Sequence, residues 1–455
     1  MMGAWRNPNT ISFSAAVEQF RRGRRTPRDF LEACLARIDE CDALIRAFVV
    51  LNVAAARRQA DASAQRYRRG APLSSLDGCP VGVKDIIATA DMPTQMNSPL
   101  FLGWQSGQDA ACVHALRQGG AVILGKTVTT EFAIGCSGPT INPFDATRTP
   151  GGSSSGTAAA VGSGMLPVGL GTQTGGSTLR PASYCGVVGF KPTLGALHTG
   201  GIHPLSATCD HLGVIGGNLA DTWRSASHIS LALGSPGYGF MHGAATDLPP
   251  PLSACRLIWL HTRGWREIDA PTEHAFQGIL TALQGQGVEI ISQNTDARVA
   301  NFEEEIERDI DGAGDIVAYE LQWPFVGYIA RHGEKIGPRI RELVARAGQM
   351  TPAAYVDLLQ KRRAALQRCE ALLATLNADG FITLASSGPA PRGLEHTGSR
   401  SFLTFGSWLG LPAFSLPLME VSGLPVGLQV LGLPHQDGRL CALAHGLMRD
   451  CGGVC

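Results

Sequence analysis

The sequence predicts an α/β fold built around a largely buried sheet. Two observations carry that reading. Short apolar, strand-like runs alternate with helical patterns along the whole chain, the pattern of a sheet covered by helices. The 455 residues also include 56 glycines and are only 17% charged, which suits a compact α/β chain and argues against a coiled coil or a disordered one. A chain of this length can bury a substantial core, in one large domain or in two or three smaller ones.

The elements follow in order. Thr26 before Pro27 reads as an N-cap with proline at the first helical position. Phe30, Cys34 and Ile38 then recur every four residues, with Leu31 and Leu35 beside them. The alanine-rich run 53–67 continues the helical pattern, and residues 71–78 (APLSSLDG) read as a loop. Residues 80–87 (PVGVKDII) read as a buried strand, 109–119 as a helix and 121–124 as a short strand. A small-residue helix is expected over 157–163, then an apolar strand over 166–172. Residues 237–251 look loop-like, 256–260 like a strand and 273–284 like a helix. The most charged part, 300–375, reads as mainly helical, and strand and loop character returns from Asp379. No internal repeat is evident.

Composition excludes several classes. The 38 basic and 38 acidic residues balance, so no electrostatic footprint for nucleic acid is present. The short basic run 21–25 (RRGRR) reads as a solvated helix end. No segment reaches the roughly 18 apolar residues of a membrane span. The start, MMGAWRNPNT, lacks an apolar signal core, so a cytoplasmic protein is expected. The 12 cysteines are scattered and read mostly as buried free thiols in a reducing compartment. Cys451 and Cys455 read as part of a disordered tail rather than a metal site, and no metal or other cofactor is expected. Residues 120–127 (GAVILGKT) match the P-loop pattern literally, but the four variable positions are themselves strand-like, which a phosphate-wrapping loop does not allow.

The chemistry concentrates in residues 151–192, a glycine-dense stretch with few charges. Such a stretch suits a backbone that turns tightly or donates its own N–H groups to a bound group. Ser153 and Ser177 stand 24 residues apart in it. Ser177 follows Thr174, Gly175 and Gly176, whose amides can form an anion-binding nest. Donors of this kind contribute about 3–4 kcal/mol to acyl transfer when aimed at the developing oxyanion. A serine needs a base, and no histidine is marked for that role. Lys84, among Val83, Ile86 and Ile87, is the alternative, because burial lowers the pKa of an amine. Taken alone, Lys84 reads as a solvated strand-edge lysine and Ser153 as a capping or loop hydroxyl.

Together, LDGCPVGVKDI, GAVILGKTVTTEFA, NPFDATRTPGGSSSG, GTQTGGSTLRPASYCGVVGFKPT and GLPVGLQVLG resemble the amidase signature family over nearly the whole chain. The resemblance implies one domain over 1–455 with a large twisted mixed β-sheet covered by α-helices on both faces. Its parts would be N-terminal helices over about 10–70, a catalytic core over 71–235, a variable helical pocket region over 265–375 and a core return over 379–450. It implies Ser177 as nucleophile, Ser153 as a bridging serine after a cis peptide bond, and Lys84 as base. Thr174, Gly175 and Gly176 fall on the oxyanion hole. Ser154 falls where it supports the network or is a simple loop hydroxyl. Cys136 and Ser137 border the pocket, with Cys136 expected in packing. Arg180 is expected in a structural salt bridge, with a substrate carboxylate as the alternative. Tyr319, Glu320, Trp323, Tyr355 and the loop 386–397 fall in the divergent pocket region, where Trp323 suits core packing as well as a pocket wall. The implied activity is hydrolysis of a small carboxamide, with a glutamine-hydrolysing A-type component of a tRNA-dependent amidotransferase as the alternative. No cofactor, no membrane and no direct nucleic-acid contact are implied, and a homodimer is the family-level expectation. One departure stands out: Gln173 occupies a position where the family usually has aspartate. The serine cluster GGSSSGT, against the commoner GGSSGGS, is a milder one.

Overall fold

The computed structural model describes residues 5–233, 247–254 and 256–453. Eleven strands among them form one mixed sheet: β1 (Phe48–Leu51), β2 (Pro80–Lys84), β3 (Val122–Thr127), β4 (Val168–Gln173), β5 (Val188–Lys191), β6 (His211–Gly216), β7 (Arg256–Trp259), β8 (Glu289–Ile291), β9 (Gly380–Leu384), β10 (Ala413–Val421) and β11 (Leu424–Leu431). Their spatial order is β1-β3-β2-β4-β6-β5-β10-β11-β9-β7-β8. β2 runs parallel to both β3 and β4, while β4–β6–β5–β10–β11–β9 is antiparallel throughout.

Helices cover both faces, as the strands β2 to β6, β9 and β11, buried along their whole length, require. In β3, Val122 and Leu124 point into one apolar cluster and Ile123 into another, so the sheet separates two cores. The helix Pro27–Ile45 closes one side; Thr26 and Asp29 form a capping box at its start, and Phe30, Leu31, Cys34, Leu35 and Ile38 are buried. β10 and β11 join through Ser422 and Gly423, whose φ values of 54° and 76° give the turn its hairpin twist. No helix among the described residues is long and apolar enough to cross a membrane.

Several local expectations are corrected. The strand at 80–87 stops at Lys84, where Ile86 and Ile87 N–H turn back onto the Lys84 carbonyl. The small-residue helix starts earlier, at Ser155, because the Gly156 N–H bonds the Val128 carbonyl. The strand in GAVILGKT extends to Thr127, so Gly125, Lys126 and Thr127 are sheet residues rather than a phosphate loop. Lys126 is spent on a buried ion pair with Asp85 at 3.2 Å. Cys451 closes the last helix (Asp437–Asp450) instead of lying in a disordered tail, whereas Cys455 lies outside the described residues. The loop-like reading of 237–251 also falls mostly outside them. Trp323 is 73% exposed, so it does not pack in the core.

Candidate active site

The site sits where the parallel strands β2 and β4 end side by side. Val81, Gly82 and Val83 pair with Val168, Gly169 and Leu170, and the next residues carry Lys84 and Thr172 to neighbouring positions. Alternation along β4 puts Thr172 and Gln173 on opposite faces. The Lys84 side chain is fully buried. Its Nζ lies 2.7 Å from Ser153 Oγ and donates to Thr172 Oγ1 at 2.7 Å. Burial pushes the amine well below the usual lysine range, and the Asp210 carboxylate opposes that shift. Asp85, the neighbour in sequence, is turned away to Lys126.

Ser153 enters from the loop before the helix Ser155–Gly162, and the Gly152–Ser153 peptide bond is cis. Every residue of that helix is buried, and its small side chains let it lie directly on the sheet. A Cβ on Gly156 would fall 2.3 Å from both Ala47 O and Val128 N. Ser154 stitches the loop to β4: its Oγ donates to Thr172 O and accepts from Thr172 N, both at 3.3 Å, and its N–H donates to Ser177 O at 3.2 Å. Ser154 is therefore a structural tie between the two serine segments.

Thr174, Gly175, Gly176 and Ser177 line a cavity of about 380 Å³ together with Ser153, Ser137 and Arg180. That is the size of a small-ligand pocket. Among the described residues, the N–H groups of Gly175, Gly176 and Ser177 have no intramolecular acceptor, which leaves them free for a bound oxyanion. Gln173 holds the turn behind them. Its Oε1 accepts from Thr178 N at 2.9 Å and Leu179 N at 3.0 Å, while Nε2 donates to Ser407 Oγ at 2.9 Å. A neutral amide thus satisfies this fully buried position from both ends.

Other expectations sort as follows. Among the described residues Arg180 makes no salt bridge; it donates to the carbonyls of Gly398 at 2.8 Å and Gly152 at 2.7 Å, so it ties the loop 394–400 to the segment before Ser153. Burial lowers its pKa to about 10. Cys136 is exposed and does not line the cavity, whereas Ser137 does. Glu320 is held by Tyr355, Ser206 and Thr208, and Tyr319 stacks on Tyr355 at 4.3 Å. Those residues brace the helix Gly312–His332 and do not line the cavity; Val317 and Arg339 do, with Glu395, His396 and Thr397 from the predicted loop. His396 is occupied by its own loop: Nε2 meets Arg392 O at 2.9 Å, and Nδ1 accepts from Gly398 N at 3.2 Å.

Two functional neighbours escape a reading of the sequence. Thr172 holds the lysine amine, and period-two alternation in GTQTGG is the one available sign of it. Asp210 accepts from Thr174 Oγ1 at 2.6 Å and from the N–H groups of Leu205 and Ser206. Burial raises it to about 6. The arrangement as a whole can carry a proton from a serine hydroxyl to a neutral amine beside a nest of free N–H donors.

Comparison with known proteins agrees with this geometry. A family model described as Amidase matches residues 29–303. The A-type component of the glutamyl-tRNA(Gln) amidotransferase of Chloroflexus aggregans is 30% identical, with 96% of each chain covered. A crystal structure of an amidase superposes with a TM-score of 0.82 at 29% identity, over 96% of this chain and 99% of the other. The native peptide amidase of Stenotrophomonas maltophilia superposes with a TM-score of 0.82 at 25% identity, over 98% of both chains. The chain belongs to the amidase signature family, whose enzymes act on carbon–nitrogen bonds.

Proposed function

We propose that the protein hydrolyses the C–N bond of a small carboxamide through an acyl-enzyme on Ser177. The observation that carries this reading is the contact of the buried Lys84 Nζ with Ser153 Oγ at 2.7 Å, where Ser153 lines the same cavity as Ser177. Neutral Lys84 accepts the Ser153 proton while Ser153 accepts the proton of Ser177. The Ser177 oxygen attacks the amide carbonyl, and the N–H groups of Gly175, Gly176 and Ser177 receive the oxyanion. The proton returns through Ser153 to the leaving nitrogen as the C–N bond breaks, releasing ammonia or an amine. Water then attacks the ester by the same relay, giving the carboxylic acid and restoring Ser177.

A screen of small amides for ammonia release, with Ser177→Ala as control, tests the reading. Release by the native chain and none by the variant is expected; equal release by both overturns it. The likeness to an amidotransferase component favours a second reading, a glutamine-hydrolysing chain that works within a complex. A glutaminase assay with and without the other components of such a complex separates the two, because activity that appears only with them supports the second.

A further inference from the structure

The proton relay creates a charge that its own three residues do not balance. As Ser177 attacks the carbonyl carbon, its proton moves to Ser153, the Ser153 proton moves to Lys84 Nζ, and the carbonyl oxygen becomes an oxyanion. The oxyanion meets the free N–H groups of Gly175, Gly176 and Ser177. The ammonium forms on a fully buried side chain, where a charge without a counter-charge is strongly disfavoured. Thr172 Oγ1 accepts from it at 2.7 Å, but a hydroxyl carries no charge.

Asp210 stands where a counter-charge is needed. It lies one residue before β6, and the register pairs Leu212 with Thr172 and His211 with Gln173. Asp210 therefore falls opposite Thr174, and its Oδ1 accepts from Thr174 Oγ1 at 2.6 Å. Its Oδ2 accepts from Leu205 N at 2.7 Å and Ser206 N at 2.9 Å. Three donors favour the ionised carboxyl. Thr172, Thr174 and Asp210 line a second cavity of about 230 Å³, and Thr174 and Leu205 form a wall common to it and the Ser177 cavity. Lysine and carboxylate thus hold two threonines of one segment, Lys84 on Thr172 and Asp210 on Thr174.

The other titratable groups around the pair are neutral or engaged. Asp85 faces Lys126 at 3.2 Å. Burial holds His203 down to about 4 and His211 well below the usual histidine range, so both rings on the second cavity are neutral. Lys191 donates to the carbonyls of Pro192 and Leu411, and Arg362 to those of Trp408 and Thr208. Glu320 is held by Ser206, Thr208 and Tyr355, and its charge adds to burial in raising Asp210. Among the described residues, Asp210 is the one carboxylate that opposes the lowering of Lys84.

We propose that Asp210 is a positioning residue of the reaction, whose carboxylate holds the Thr174 loop and stabilises the ammonium that Lys84 becomes in the transition state. The resting amine is neutral, so the attraction appears only as the proton arrives. An interaction of that kind lowers the barrier instead of tightening the ground state. The inference rests on the proposed Ser177–Ser153–Lys84 relay and adds a fourth group to it. Lys84 and Asp210 then take up protons as a coupled pair. Removing the carboxylate removes the charge that favours the ammonium, so the neutral base persists to lower pH while the transition state loses stabilisation.

The test follows the rate of Ser177 labelling by a fluorophosphonate from pH 4.5 to 10 in the native chain, Asp210→Asn, Asp210→Ser and Thr174→Val, with thermal unfolding to identify the variants that fold. In Asp210→Asn the amide oxygen can accept from Leu205 N and Ser206 N while the Thr174 hydroxyl turns to accept from the amide, so the hydrogen bonds survive and the charge does not. In both Asp210 variants the acid limb should move down by about one pH unit or more, and the plateau should fall roughly tenfold. Thr174→Val keeps the charge and cuts the tie. Its limb should move to higher pH, because the ionised carboxyl loses a donor and the pair takes up its first proton sooner. A carboxylate that only held the loop would lower the plateau in every variant and leave the limb in place. A limb that stays put in the Asp210 variants, or that fails to rise in Thr174→Val, overturns the inference while labelled Ser177 leaves the amidohydrolase reading standing. Thr174→Val decides alone if neither Asp210 variant folds. A native chain that does not label overturns the relay and the inference with it.

Discussion

Thr172→Val should move the acid limb of Ser177 reactivity down by about 0.7 pH unit. Thr172 Oγ1 accepts from Lys84 Nζ at 2.7 Å in a fully buried surrounding, and valine keeps the shape while deleting the acceptor. A hydrogen bond to a charged donor contributes about 1.5–3 kcal/mol, against about 0.5–1.5 for a neutral one. The substitution therefore withdraws roughly 1 kcal/mol more from the ammonium than from the amine, which at about 1.36 kcal/mol per unit is some 0.7 unit. The sign follows: losing a partner of the charged form lowers the Lys84 pKa further, so the neutral base persists to lower pH. The plateau should fall about tenfold, because the amine loses one of two anchors, about 1.4 kcal/mol. The rate of Ser177 modification by a fluorophosphonate, followed from pH 5 to 10, needs no knowledge of the natural substrate. A limb that stays put or moves to higher pH refutes the reasoning.

Three further outcomes are expected. In the native chain the same rate should climb with pH to an alkaline plateau, since burial holds Lys84 low and only the neutral amine is a base; a rate that declines steadily above neutrality contradicts this. Gln173→Glu places a carboxylate where Oε1 meets two N–H groups but Nε2 donates to Ser407 Oγ, whose own proton goes to Leu403 O. Its folded pKa should rise by about 2 units, so stability matches the native chain below about pH 4.3 and falls by about 2–3 kcal/mol as pH rises toward 6.5; urea denaturation at pH 5 and 8 reads this, and pH-independent stability contradicts it. Gly156→Ala drives a methyl onto backbone atoms of both Ala47 and Val128. It should cost about 3 kcal/mol, visible as a lowered Tm, and an unchanged Tm would show that the helix can lift off the sheet.

What the sequence discloses about this site depends on whether the information is local. Lys84, Ser153 and Ser177 stand in short motifs whose glycines and apolar flanks already restrict the backbone, and the structure brings their segments to one cavity. The alternation of elements likewise announces a covered sheet, although its edges shift: Asp85 leaves the strand because Lys126, 41 positions on, offers it an ion pair. Arg180 shows the limit of reasoning from residue type. A buried arginine usually meets a carboxylate, yet here the 394–400 loop and Gly152 supply carbonyl oxygens instead. Glu320 and Trp323 lie in the divergent helical region where a pocket wall is expected, but one braces Ser206 and Thr208 and the other faces solvent. Arg339 and Arg400 come from separate segments to line one cavity, so nothing in their own neighbourhoods marks them. Thr172 and Asp210 escape notice for the same reason: each acts through a contact made across strands or loops.

The central claim is that Ser177 is activated through Ser153 by Lys84. Intact-mass spectrometry after fluorophosphonate treatment of the native chain, Ser177→Ala and Lys84→Ala tests it most directly. A single adduct on the native chain that both substitutions abolish is the predicted result. An adduct that survives Ser177→Ala, or one that forms at a near-native rate in Lys84→Ala, contradicts the account.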